Sequence, residues 1–456
     1  MLLPMRSTGT RAVLRISCRF LGLLLAVLLA SGRAWADVGY IRDAEIESTL
    51  RTFYTPILQA AGLEPSAVHI YIVNDPTLNS FVAGGQNIFI NTGTIMRSET
   101  PNQLIGIVAH ETGHIAGGHL VRSEEAMKSA TIKAIIAMVL GAGAAVASHN
   151  AGAAGAAMLG AEGVGLRSFL SFSVGQEANA DQAALRFLDK THQSSRGLLE
   201  FFQILEGQEM LTGMHQAPYL RTHPLTTQRI EYVRQHVEQS PYSNITDSSA
   251  WVELHKRMKA KLIAFLYPPS QALPQFPETD MSVSARYGRA VAYYRIPELK
   301  KAVALVDGLI QQEPNNPYFH ELKGQMLFEN GRVGEAVGPY REAVRLAPDV
   351  ALLHVELAQV EIEAGDNSLN NDALANLKSA AQYESRNADT WHFLAIAYGR
   401  SGDMGNSALS LAEEAMAQGD KAQAKGQAQR ALKLLPAGSQ ARLRAEDIQM
   451  EAGRKE

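Results

Sequence analysis

The chain has a single cysteine, Cys18, in 456 residues. That absence excludes a disulfide scaffold, and it excludes a zinc site built on thiolates. Cys18 is also a poor lipidation site, because Arg15-Ile16-Ser17 stands where an apolar stretch should just have ended. Acid is missing altogether from residues 1–36, which carry Arg6, Arg11, Arg15, Arg19 and Arg33, an apolar run from Phe20 to Ala30, and Ala34-Trp35-Ala36. This is the order of a secretory signal, and the apolar run is about half of the roughly 20 residues a spanning helix needs. Residues 1–36 are therefore expected to be a cleavable leader, cut after Ala36. Its loss removes five arginines and takes the formal net charge from −4 to −9. Nucleic acid is not an expected partner of such a chain. Charge is missing a second time between Ala134 and Ala161, a stretch rich in alanine and glycine. Its glycines and Ser148-His149-Asn150 weaken a spanning helix, so a helical hairpin beside the functional site is the first reading. Peripheral contact with a membrane is the second.

What is present describes a folded protein. The hydrophobic share of 46% and charged share of 19% are those of a globular chain, and the length suggests two or three domains. The pattern predicts a helix over 44–61, a strand over Val68–Val73, and two short strands flanking Gly84-Gly85. Pro101 suits a first helical turn, and Leu104, Ile107, Val108 and Ile115 recur at helical spacing, which predicts a mostly buried helix over 101–117. Another is expected from about Gln176 to Asp189. Pro268, Pro269, Pro274 and Pro277 then mark a linker at 269–282.

Beyond it the chain repeats. Gly324, Leu327, Ala336, Tyr340, Ala343 and Pro348 fall at the small and large positions of the tetratricopeptide unit, and Trp391, Leu394, Ala395 and Tyr398 repeat that order. Ala358, Ala373, Leu377 and Ala380 mark a copy between them, Ala431 and Pro436 close the last, and Ala302 and Pro314 belong to a degenerate first one. The expected fold is mostly α with a small β-sheet: an α+β domain over 37–268, then an α-solenoid over 283–456.

Any metal must use histidine and carboxylate, and His110-Glu111-Thr112-Gly113-His114 offers both. Four residues apart on a helix, the two imidazoles leave one face and can bind one tetrahedral zinc, with Glu111 one step round as a base. A catalytic zinc needs a third protein ligand and an open position. Glu177-Ala178-Asn179-Ala180-Asp181 supplies a carboxylate, and Asp181, one turn on, can hydrogen-bond the outer nitrogen of a ligating histidine. The metzincin spacing would need its third ligand at Leu120; His119 falls one residue early and reads as a structural polar group at the helix end.

These motifs, with Thr222-His223-Pro224 running on to Arg229-Ile230 and the glycine turn after Asn79-Ser80-Phe81, resemble the gluzincin zinc metallopeptidases of the HtpX and CAAX prenyl protease type. The resemblance implies one zinc ion per chain on His110, His114 and Glu177, with Glu111 catalytic, Asp181 behind the ligands, and a peptide-bond hydrolase. Taken with the leader and the repeats, it implies a periplasmic enzyme acting on unfolded or misassembled proteins. It also implies service to outer-membrane protein assembly, the repeats docking on the β-barrel assembly machinery. His223 has two expected roles, oxyanion stabiliser or inhibitory fourth ligand. An extended substrate is expected to pair with the strand edge near Ser80–Ile90. The competing reading is a chaperone or assembly scaffold whose proteolysis is secondary or repressed. His215, His320, His354 and His392 read as structural or surface groups.

Overall fold

The structure, a computed structural model, describes residues 39–119, 174–212, Tyr219 and 223–454, and these fall within one compact unit beginning at Gly39. The leader, the uncharged stretch between Ala134 and Ala161, and His215 lie outside the described residues. After β1 (Tyr40–Ile41), Asp43 caps α1 (Ala44–Ala60) by accepting from the Ile46 amide. Ile46, Leu50, Phe53, Ile57 and Leu58 then bury one face of it. The strands β2 (His69–Val73), β3 (Ser80–Ala83) and β4 (Asn87–Asn91) complete a sheet in the order β1-β2-β4-β3. The β3–β4 hairpin is antiparallel, β2 and β4 run parallel, and β3 is left as an edge. Alternation divides the sheet faces. Ile72, Val82, Ile88 and Ile90 join the core. On the other face Phe89 stacks with Tyr71 at 5.0 Å and with Phe81 at 4.9 Å.

The short α2 (Thr92–Arg97) leads to α3 (Pro101–Ala116), whose first turn is closed by the Thr100 side chain accepting from the Gln103 amide and by Pro101. Buried on nearly all sides, α3 packs against α4 (Val174–Lys190) and α5 (Arg196–Thr212), with α6 (Thr227–Gln239) beyond them. The approach of α3 to α4 is close: a Cβ on Gly113 would lie 2.7 Å from the Ala180 carbonyl oxygen. Only glycine at 113 lets the two backbones come so near. Among the described residues no helix is long and apolar enough to cross a membrane.

The helix α7 (Ser249–Leu266) belongs to two cores at once. Met258 and Leu262 join the N-terminal core, while Ala260 and Ala264 pack with Tyr287, Val291 and Phe319 of the repeats. Residues 269–282, where prolines suggest a linker, hold α8 (Pro269–Ala272) and a 3-10 turn, and bury Ala272 and Phe276 against α9 (Val283–Tyr294). Antiparallel helices follow: α10 (Leu299–Gln312), α11 (Pro317–Glu329), α12 (Val333–Leu346), α13 (Ala351–Glu363), α14 (Asn370–Tyr383), α15 (Ala388–Arg400), α16 (Met404–Ala417), α17 (Lys421–Leu434) and α18 (Gln440–Gly453). The small residues Ala302, Ala336, Ala343, Ala358, Ala373 and Ala380 are fully buried, so helices meet there at short range. His320 donates to the Pro314 carbonyl and His354 to that of Pro348, the same contact one repeat apart.

The repeats touch the start of the chain. Ala44 packs with Ala343 and Leu353, and Arg42 bridges Glu47 at 2.7 Å and Glu384 at 2.8 Å. Beneath them Lys261 lies 2.7 Å from Asp43 and 3.5 Å from both Glu45 and Glu321, and the Tyr287 hydroxyl donates to Glu45 at 2.5 Å.

Candidate metal centre

Gly113 brings α3 and α4 together at the level where each carries polar side chains inward. His110, Glu111, His114, Glu177, Asp181 and His223 are all 0% exposed. His110 Nε2 and His114 Nε2 face each other at 3.1 Å. Glu177 completes a triangle, with Oε2 at 3.4 Å from His110 Nε2 and Oε1 at 3.4 Å from His114 Nε2. His223 stands over the third side, its Nδ1 at 3.1 Å from Glu177 Oε1 and 3.4 Å from His110 Nε2.

These separations test whether a metal fits. Zinc bonds of about 2.0–2.1 Å in a tetrahedron require donors about 3.3 Å apart along each edge. The four side chains offer one donor atom each, all within 4.8 Å of one another, and the nearest pairs match that edge. Three imidazoles and a carboxylate are also the donor chemistry zinc takes. The residues fit the ion.

The surroundings hold the donors in place. Asp181 Oδ1 meets His110 Nδ1 at 2.8 Å, turning the other ring nitrogen toward the centre. Arg229 was not given a role by its spacing, yet it ties the arrangement together. Its Nε donates to Asp181 Oδ2 at 2.6 Å, its Nη2 to Oδ1 at 2.8 Å, and its Nη1 reaches Glu177 Oε2 at 2.8 Å and the Pro224 carbonyl at 2.8 Å. One guanidinium therefore fixes both carboxylates and the turn that carries His223. The Thr226 side chain caps α6 and sets Arg229 in its first turn, and Phe202 lies under the guanidinium at 5.1 Å. In the sequence Arg229 stands only as part of the run from Thr222 to Ile230, with no role attached to it.

Electrostatics follow from these contacts. Burial works to raise the Glu177 carboxyl, but His223, His110 and His114 outweigh it and hold it well below the usual carboxylate range. Burial likewise opposes Asp181, which Arg229 and His110 keep low. For His110 burial pulls down, but Asp181 and Glu177 prevail and raise it to about 9. Burial takes His114 down to about 3. Glu111 differs from all of these: burial pushes its carboxyl up, and neither oxygen has a hydrogen-bond partner among the described residues. His223 Nε2 stands 3.7 Å from Oε1.

Ordinary core packing has no use for four buried donors aimed at one another beside a carboxylate left bare, whereas hydrolysis of a peptide bond with a metal's help uses every part. The chain is a metallopeptidase in class. Residues 41–237 match the family model of peptidase family M48 and residues 301–351 that of a tetratricopeptide repeat, so the protein carries an M48 peptidase domain followed by tetratricopeptide repeats. It is 23% identical over 333 residues to the beta-barrel assembly-enhancing protease of Yersinia pestis, covering 72% of this chain and 68% of that one. The protein of the same name from Escherichia coli (strain K12) is 22% identical over 336 residues, 71% of this chain and 66% of its own. Among solved structures, YrrB, a TPR protein with an unusual peptide-binding site, is 18% identical, with a TM-score of 0.32 over 40% of this chain and 91% of its own.

Proposed function

We propose that the protein is a zinc endopeptidase of the periplasm that removes misassembled or stalled proteins and supports assembly of outer-membrane β-barrels. His110, His114 and Glu177 hold the zinc, Glu111 is the base, and Asp181 and Arg229 position the ligands. The observation that carries this reading is the set of donor separations, 3.1 and 3.4 Å, among side chains from two helices far apart in sequence. A zinc ion held there supplies a Lewis acid toward water and toward the scissile carbonyl. Glu111, its oxygens without a hydrogen-bond partner among the described residues, takes a proton from the attacking water and delivers it to the leaving nitrogen. Its upward-shifted carboxyl suits both halves of that transfer.

His223 is the fourth donor in the resting enzyme: its Nδ1 lies among the other three donors, at the corner a substrate carbonyl or water needs. That placement favours the inhibitory role over the oxyanion one, and the His223 ring must leave that corner for catalysis. An extended substrate adds to the edge of β3, which pairs only with β4 among the described residues, and there backbone pairing gives affinity with little sequence preference. The repeats recruit protein substrates and dock on the β-barrel assembly machinery, as the names of the relatives suggest. Peripheral membrane contact and the leader of residues 1–36 are part of the same periplasmic reading.

Metal analysis together with a cleavage assay on an unfolded protein tests this. Glu177→Ala should lower zinc retention roughly tenfold or more. Glu111→Gln should keep the zinc while cutting turnover by about 10²–10⁴-fold. Full biological activity in the Glu111→Gln protein would favour the chaperone or scaffold reading instead.

A further inference from the structure

The helix α3 ends in a motif that supplies more than a stop signal. The Gly118 amide donates to the Ile115 carbonyl at 3.0 Å and the His119 amide to the His114 carbonyl at 3.1 Å, with Gly118 left-handed at φ +61°. This is the Schellman pattern, in which the residue after the left-handed glycine folds back onto the residue five before it. That contact is usually hydrophobic. Here both residues are histidines, and His119 Nδ1 lies 3.0 Å from His114 Nδ1, the rings meeting edge to face at 5.0 Å. His119 is 3% exposed, and a Cβ on Gly117 would come within 2.6 Å of its Nε2. Both glycines therefore serve to lay this ring against His114.

We propose that His119 is the positioning residue for His114. It accepts the His114 Nδ1 proton on its own Nδ1, which leaves the Nε2 lone pair of His114 turned toward His110 and Glu177. The inference rests on the zinc reading above and deepens it. His110 is oriented by the Asp181 carboxylate, and His114 by an imidazole delivered by the helix terminus. An imidazole acceptor orients the ligand without adding a further carboxylate to a pocket that already contains Glu111, Glu177 and Asp181.

The test is zinc affinity by chelator competition in full-length protein, with His119→Phe keeping the ring's bulk and His119→Asn keeping an acceptor near the Nδ1 position. His119→Phe should bind zinc roughly tenfold to a hundredfold more weakly. His119→Asn should stay within a few-fold of the parent, and the metal-free melting temperatures of all three should agree. Nitrogen NMR of the zinc-loaded parent should show His114 protonated on Nδ1. Parent-like affinity in His119→Phe, or equal losses in both variants, overturns the proposal. A parent that binds no zinc at all sinks the metal-centre reading itself.

Discussion

Lys261 and Glu177 each sit at the middle of a buried set of charges, and the two sets are built on opposite plans. At the junction of the two halves, one ammonium draws in Asp43, Glu45 and Glu321 from the start of α1 and from the repeats. Burial works against the Lys261 charge, but Asp43 and Glu321 outweigh it and raise it further. The attraction there closes on itself. Around Glu177 the donors instead point their lone pairs at a common centre, and Arg229 neutralises the carboxylates from behind. A metal ion would fit among them. The first arrangement holds parts of the chain together; the second holds a geometry that becomes favourable only with a guest.

The sharpest way to break this contrast is Lys261→Met. Three carboxylates would remain buried without their cation, and stability in urea should fall by about 3–5 kcal/mol. Zinc content should not change; if it drops in parallel, the clusters are one cooperative network. Arg229→Lys should do the reverse, since it keeps a charge but loses the fork that holds Asp181 and Glu177. We expect about tenfold weaker zinc binding with little change in melting temperature.

The smallest effect is a slope with pH. Burial raises the Glu321 carboxyl to about 7. Between its unfolded value near 4.5 and about pH 7 the native state binds the extra proton, so its contribution is full below that window and is lost as pH rises through it. Glu321→Gln should flatten the decline in unfolding free energy between about pH 4.5 and pH 7, by at most about 1.4 kcal/mol per pH unit. An unchanged slope would place the titration elsewhere.

Much of the fold is legible along the chain because its signals are local. Pro101 marks the start of α3, Gly84-Gly85 marks a hairpin, and the small-large order of the repeats requires only neighbours a helix apart. His110, Glu111 and His114 share that legibility, being within one helical turn of one another. Arg229 was missed as a functional group because an arginine in a polar helix looks like surface, and only packing shows it 3% exposed against two carboxylates. The proline-rich span reads along the chain as a linker, but its packing was not legible, since burial of Phe276 depends on α9.

By itself the sequence determined which groups can bind a metal and where the helices that carry them begin and end, because propensity, capping and i,i+4 spacing act within a few residues. Tertiary structure alone decided that His223 and Arg229 meet those groups, that Lys261 is enclosed by acids from two distant segments, and that a helix terminus lays His119 on His114. Such contacts are set by the packing of distant backbones, and no short-range rule along the chain encodes the distance between them.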